Sequence, residues 1–384
     1  MEQRNFTEEH EMFRESFRLF LEREVVPHQE AWREQGMVSR EVWLKAGEQG
    51  YLLPWADEAH GGLGLTDFRY TQIEIEELMR IGETGFYLPL HSALVAPYIG
   101  TNGTEEQKKR FLPGCISGES ILAVAMTEPG AGSDLAGMKS TAVRRGDDWV
   151  LNGAKTFISN GQLADVVVVA AKTNPEKPRE VGLFLVERGM AGFQRGRHLK
   201  KLGMHSQDTS ELFFDNVVVP AANVLGDPAK GFHYLMAGLA EERLIAAATN
   251  VASCQAAFDW TMEYIQERKL FGRTLGSMQN TRFKMAELRT EIDMAQVYVD
   301  HCVTQLNAGH LSGESAAKIK LYSSELQGRV VDECLQFFGG YGYMDEYPIS
   351  RAYADARITR IFGGASEVMK EIIARSIGLT EQAG

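Results

Sequence analysis

An α+β fold in helical, β, helical order is what this sequence predicts, and three textures along the chain predict it. Up to about Gly118 apolar residues recur at helical spacing. From about Glu119 to Asp227 they cluster as strands do. From Lys230 onward they run in long helical stretches. The expected division is an N-terminal helical domain at 1–118, a middle β-barrel-like domain at 119–228 and a C-terminal four-helix bundle at 229–384. With 384 residues and 44% hydrophobic content, the chain exceeds one average domain and can bury a sizeable core.

In the first region Phe13, Phe17, Phe20 and Leu21 share a helical stripe, as do Ile73, Glu77 and Met79 with Arg80. The clusters Gly61-Gly62-Leu63-Gly64 and Gly82 interrupt these helices. In the middle region Trp149 to Gly153 reads as the end of one strand and Val166 to Ala171 as a buried strand. Val181 to Val186 and Leu212 to Phe214 add two more, with Asn152-Gly153, Asn160-Gly161 and Asn174-Pro175 as the turns between strands. The third region predicts helices from Gly231 to about Lys269, from Gln279 to Asn307 and from Glu314 to about Phe338, lengths that suit a bundle.

Composition excludes several functions. A formal net charge of -12 and a pI near 5.4 leave no basic face for nucleic acid and no attraction to an anionic membrane. No segment approaches the ~20 apolar residues of a membrane span. The charged start (Glu2, Arg4, Glu8, Glu9, Glu11, Arg14) does not read as a secretory signal and is too acidic for a mitochondrial transit peptide. Cys115, Cys254, Cys302 and Cys334 form no CxxC pair and fit a reducing compartment. No His/Cys/Asp cluster has metal-ligand spacing, so no metal is expected. A Gly-x-Ser-x-Gly elbow is absent, which leaves a serine hydrolase without its main cue.

Six stretches are candidates for chemistry. Met126-Thr127-Glu128-Pro129-Gly130-Ala131-Gly132-Ser133-Asp134 carries two glycines, but Leu135 stands where a dinucleotide fingerprint needs a third. Its backbone N–H groups suit phosphate or a flavin edge; a plain connecting turn is the alternative. In Lys155 to Gly161, Phe157 and Ser159 suit stacking and hydrogen bonding on a flat cofactor, or else form a strand end with one buried Phe.

The helix from Phe232 to Ala248 is apolar almost all round, which predicts burial on most sides. Glu242 lies seven residues after Leu235, three after Leu239 and four before Ala246, and so falls on its apolar stripe. Desolvation there raises a carboxylate pKa and suits a general base; a salt bridge to Arg243 is the competing reading. Gln336 to Gly342 and Ile361 to Glu367 are Gly-rich turns at helix ends, the second with Ser366 as a possible cap. Arg268 to Arg273 gathers cations at a helix end, where they oppose the helix dipole or hold a pyrophosphate.

Taken together and in order, these motifs resemble the acyl-CoA dehydrogenase family over nearly the whole chain. The run Met126 to Asp134 is its most specific match, joined by Phe157 to Gly161, Arg268 to Phe271 with Gln279, and Gln336 to Gly342. Leu90-His91-Ser92, Phe157-Ile158-Ser159 and Tyr343 to Pro348 are most similar to the long-chain members.

The resemblance implies FAD, oxidation of an acyl-CoA thioester to the trans-2-enoyl-CoA, an electron-transfer flavoprotein as oxidant and a homotetramer. It implies cofactor contacts at Met126, Thr127, Ser133, Phe157, Ser159, Arg268, Phe271, Gln279, Gln336, Gly339, Gly340, Ala365 and Glu367. Substrate contacts are implied at Ser133, Arg243, Gly363 and Gly364. Many members carry the catalytic glutamate in a Tyr-Glu-Gly-Thr motif; the matching stretch here is Phe362-Gly363-Gly364-Ala365. Long-chain and isovaleryl members place it in the bundle helix before an arginine, the position of Glu242. The expected base is therefore Glu242. A flavin oxidase of the same fold, or an impaired acyl-CoA-binding flavoprotein, are the competing readings. The expected compartment is the cytoplasm of a prokaryote, or the mitochondrial matrix for a processed eukaryotic form.

Overall fold

The computed structural model describes residues 4–174, 176, 177 and 179–379, so Pro175 of the expected Asn174-Pro175 turn lies outside them. The N-terminal region holds α1 (Glu8–Glu24), α2 (Gln29–Gln35), α3 (Arg40–Glu48) and α4 (Arg69–Arg80). A π-helical turn (Leu90–Val95) then runs into α5 (Ala96–Asn102), followed by α6 (Glu105–Ser117). The stripe Phe17, Phe20 and Leu21 is buried on the main core, with Phe13 packed against it. Thr104 caps α6 by accepting from the Gln107 N–H, and Gln107 returns the bond to the Thr104 N–H.

The middle region holds β1 (Leu122–Ala125), β2 (Thr141–Arg145), β3 (Asp148–Ser159), β4 (Val166–Lys172), β5 (Val181–Glu187), β6 (Phe193–His198), β7 (Thr209–Val219) and β8 (Val224–Leu225). They form one sheet in the order β6-β7-β3-β2-β4-β5-β8, with β1 parallel to β4. Val166 to Ala171 of β4 are apolar, and both faces of the strand are covered. Val166, Val168 and Ala170 join the main core, whereas Val167, Val169 and Ala171 join a second core inside the sheet. Six strands contribute to that second core, so the sheet curls round it.

Asn152-Gly153 is not a turn. β3 runs straight through it, with a register shift between Leu151 and Gly153. Gly153 has φ +147, and a Cβ there would lie 2.2 Å from Ser140 Oγ, so close backbone approach explains the glycine.

The C-terminal region holds α7 (Gly231–Glu267), a short hairpin of β9 (Lys269–Leu270) and β10 (Arg273–Thr274), α8 (Gln279–Asn307), α9 (Gly313–Phe338), α10 (Pro348–Ala356) and α11 (Ser366–Ser376). Ser312 caps α9 by accepting from the Ser315 N–H. Ser366 is not the cap of α11. Ala365 stands at that position, and the Ser366 hydroxyl donates instead to Glu325. Among the described residues no helix is long and apolar enough to cross a membrane, and no group of three His, Cys, Asp or Glu is placed to hold a metal. All four cysteines are buried free thiols.

Candidate active site

The predicted site residues fall into three groups. The first joins the Gly-rich loop to the end of β3. Lys155, fully buried, donates to the Met126 carbonyl at 3.0 Å and to Glu128 at 2.8 Å, and the Thr156 N–H donates to the Thr127 carbonyl at 3.0 Å. Glu128 also accepts from the Lys139 and Ser140 N–H groups. The loop therefore hangs from one buried, fully partnered carboxylate. Those bonds hold the Glu128 carboxyl below its usual range against the opposing pull of burial, whereas burial pushes Lys155 down.

Phe157 departs from the reading of a buried strand-end Phe. It is 69% exposed, with φ +59, at a register shift between Lys155 and Ile158. The bulge turns its ring out of the sheet, beside the loop that carries Met126 and Thr127. Ser159 is half-buried and Ser133 is exposed.

The second group surrounds the carboxylate of Glu242. The first part of α7 is less covered than its composition predicts. His233, Met236 and Ala237 are exposed, and only from Arg243 onward is the helix continuously buried to Cys254. Glu241 and Glu242 sit half-buried at that boundary. The competing salt bridge is absent: among the described residues no ion pair joins Glu242 to Arg243, and Arg243 Nε, buried, has no hydrogen-bond partner. The partner of Glu242 is Tyr98 of α5, whose hydroxyl donates to Oε1 at 2.8 Å. Desolvation raises the Glu242 pKa, with the Tyr98 bond and the Arg243 charge opposing it. Burial and the neighbouring Glu242 push Glu241 up to about 7.

Seven residues on, Thr249 lies on the same face of α7. It donates to Ile245 and accepts from the Tyr87 hydroxyl at 2.5 Å, so two phenols of the N-terminal region grip this face. Gly363 (φ +61) and Gly364 (φ +95) form the turn before α11, and Lys320 of α9 reaches the Gly364 carbonyl from below. Arg243 is close enough to act on Lys320. Glu242, Arg243, Gly363 and Gly364 thus share one neighbourhood with Tyr98 and Lys320. Ala365 is half-buried there and Glu367 exposed.

The third group lines a cavity of about 590 Å³ that holds Arg268, Gln336, Gly339 and Gly340. Arg268 stands just beyond the last residue of α7, over the ring of Tyr341 at 5.8 Å. Phe271, at the tip of the hairpin, is 96% exposed, and Gln279 opens α8 on the surface. No residue of the first group lines this cavity.

Sequence reasoning passed over Tyr98 and Lys320. No spacing marks Tyr98. Lys320 was detectable, because it interrupts the buried stripe Ala316, Ile319, Ser323, Leu326 and Val330 by the same logic that marks Glu242.

Family models for the acyl-CoA dehydrogenase N-terminal, middle and C-terminal domains match residues 7–119, 123–217 and 229–378. The long-chain specific acyl-CoA dehydrogenase, mitochondrial, of Mus musculus is 48% identical over 377 residues, covering 97% of this chain and 87% of that protein. The structure of an acyl-CoA dehydrogenase from Geobacillus kaustophilus superposes with a TM-score of 0.96 at 46% identity, covering 98% of this chain and 100% of the other. A glutaryl-CoA dehydrogenase from Mycobacterium smegmatis, solved in complex with FADH2, superposes at 0.92 with 28% identity, covering 99% and 97%. With all three domains matched in order, the chain belongs to the acyl-CoA dehydrogenase family, FAD-using oxidoreductases that act on acyl-CoA.

Proposed function

We propose that this protein oxidises medium- to long-chain fatty acyl-CoA thioesters to trans-2-enoyl-CoA, with Glu242 as the base that removes the α-proton. The observation that carries this reading is the state of Glu242. It is a carboxylate at the edge of an apolar helix, free of any salt bridge among the described residues, with one oxygen held by Tyr98, in a chain that has glycine at 363. Desolvation keeps such a carboxylate basic, and a free oxygen lets it act.

The α-proton of a thioester is weakly acidic, so its removal needs a donor for the charge that moves onto the thioester oxygen. Gly363 retains its backbone N–H and is exposed, which suits that role without a side chain. The cations of Arg243 and Lys320 nearby favour the same negative charge.

The chain's residues fit FAD. Phe157 offers an exposed aromatic face beside the Met126–Thr127 loop. Gly339 and Gly340 leave open space where a Cβ would stand, in the cavity that also holds Arg268 and Gln336. Met126, Thr127, Ser133, Phe157 and Ser159 would hold one part of the cofactor, and Ala365 and Glu367, after the Gly363–Gly364 turn, are further proposed contacts. Arg268, Phe271, Gln279, Gln336, Gly339 and Gly340 would hold another. Two separate groups for one cofactor suit the proposed homotetramer, in which each cofactor is shared between subunits. Bound FAD supplies the acceptor for the hydride leaving the β-carbon, and an electron-transfer flavoprotein is the proposed oxidant.

Anaerobic flavin reduction by a ladder of saturated acyl-CoA thioesters tests this reading. Bleaching is expected with medium and long chains. Absence of bleaching at every length would leave an acyl-CoA-binding scaffold, and rapid reoxidation by oxygen alone would leave an oxidase.

A further inference from the structure

We infer that Tyr98 is the positioning residue for Glu242: its hydroxyl holds Oε1 and leaves Oε2 as the oxygen that takes the proton. This rests on Glu242 being the base. The backbone that carries Tyr98 is set two turns earlier. Pro97 has no N–H to donate to Ala93, and its ring crowds that carbonyl, so the preceding turn widens into the π-helical segment Leu90–Val95.

That turn is fixed from four sides. The His91 ring accepts from the Leu122 N–H at 3.1 Å and donates to the Cys115 carbonyl at 2.9 Å. The Leu53 N–H donates to Ser92 Oγ and Trp55 Nε1 to the Ser92 carbonyl. Both ring nitrogens of His91 are used by groups that need it neutral, and burial pushes its pKa down to about 4. α5 is therefore launched from a rigid platform, and Tyr98, on its first turn, is 5% exposed with Glu242 as its hydrogen-bond partner.

The bond has two consequences. A rigid phenol fixes the carboxylate plane, and among the described residues no hydrogen bond engages Oε2. Donation to the ionised form also lowers the Glu242 pKa, opposing desolvation. Among the described residues the charge acting on Glu242 is that of Arg243 beside it on α7, with Lys320 of α9 behind Arg243; Glu241, also on α7, feels the charge of Glu242 in turn.

The test is the pH profile of anaerobic flavin reduction by a long-chain acyl-CoA in Tyr98→Phe, with cofactor content and substrate affinity measured alongside. The expected result is unchanged cofactor content, a limiting rate lowered about 10-fold at pH 7 with substrate affinity nearly unchanged, and an acid limb moved up by about one pH unit. If the Phe variant does not fold, 3-fluorotyrosine at position 98 serves. Its more acidic hydroxyl is expected to move the same limb down. Limbs that stay in place in either variant overturn the inference. A Glu242→Gln enzyme that still turns over would sink the base assignment instead. An inactive Glu242→Gln beside an unshifted Tyr98→Phe would sink the Tyr98 inference alone.

Discussion

Lys320 Nζ lies 2.5 Å from the Gly364 carbonyl oxygen, in a side chain that is fully buried and, among the described residues, has no carboxylate within ion-pair distance. Burial, reinforced by Arg243, pushes its pKa down to about 8 from the ordinary 10.5. A lysine with a lowered folded pKa costs stability in full below that pKa, and the cost is relieved as pH rises from about 8 toward 10.5.

Lys320→Met is therefore expected to unfold at a temperature no lower than wild type at pH 7, with the gap narrowing above pH 8. The Gly363–Gly364 turn loses its anchor, so flavin reduction is expected to slow. Calorimetry and stopped-flow absorbance read the two effects. A lower melting temperature with unchanged turnover would contradict both.

Glu74 is a second buried ionisable group without compensation among the described residues. It is fully buried in α4 and, among the described residues, neither carboxyl oxygen has a hydrogen-bond partner. Desolvation raises its pKa well above 4.5. A carboxyl with a raised folded pKa favours folding at low pH, and that contribution is lost as pH climbs through the folded pKa. Glu74→Leu is expected to stabilise the protein by about 1–3 kcal/mol at pH 7, with the gain shrinking toward pH 4.5. Denaturant unfolding at several pH values checks the trend, and a gain independent of pH would contradict it.

Lys155 and Glu128 form a buried pair that also organises the Met126–Asp134 loop. Removing one partner leaves the other buried and charged. Lys155→Met is expected to cost about 3–5 kcal/mol and to weaken FAD retention. Unfolding titrations and cofactor absorbance after dialysis check it.

The two glycines at 363 and 364 are expected to respond differently to alanine. A Cβ at Gly364 would lie 2.5 Å from Met369 Cε, whereas at Gly363 the nearest heavy atom is Lys320 Cε at 4.0 Å. Both need positive φ, which costs a non-glycine residue about 1–2 kcal/mol. Gly364→Ala is expected to be the more destabilised in parallel thermal melts.

The sequence made much of this molecule readable, because its signals are local. The three long helices of the C-terminal region begin and end within about two residues of where periodicity put them. β4, with apolar residues on both faces, was equally plain. Bulges were not: Asn152-Gly153 has the look of a turn, but the glycine serves a close approach to Ser140, the residue that leads into β2. Phe157 is exposed for a similar reason, since a register shift against β7 decides where its ring points. At the site, Glu242 was visible as a charge on an apolar stripe. Tyr98 was not, because it meets Glu242 from 144 residues away through a proline-widened turn that no periodicity encodes.

The reading of Glu242 as the base is tested most directly by the rate of anaerobic flavin reduction by a long-chain acyl-CoA in Glu242→Gln, with Glu241→Gln as control. Both glutamines keep the shape of the side chain, and both carboxylates sit at the same edge of α7. Glu242→Gln is expected to slow reduction by about 10²–10⁴-fold while still binding FAD and substrate, with Glu241→Gln within about 10-fold of wild type. Near-wild-type reduction in Glu242→Gln, or a greater loss in Glu241→Gln, would contradict the account.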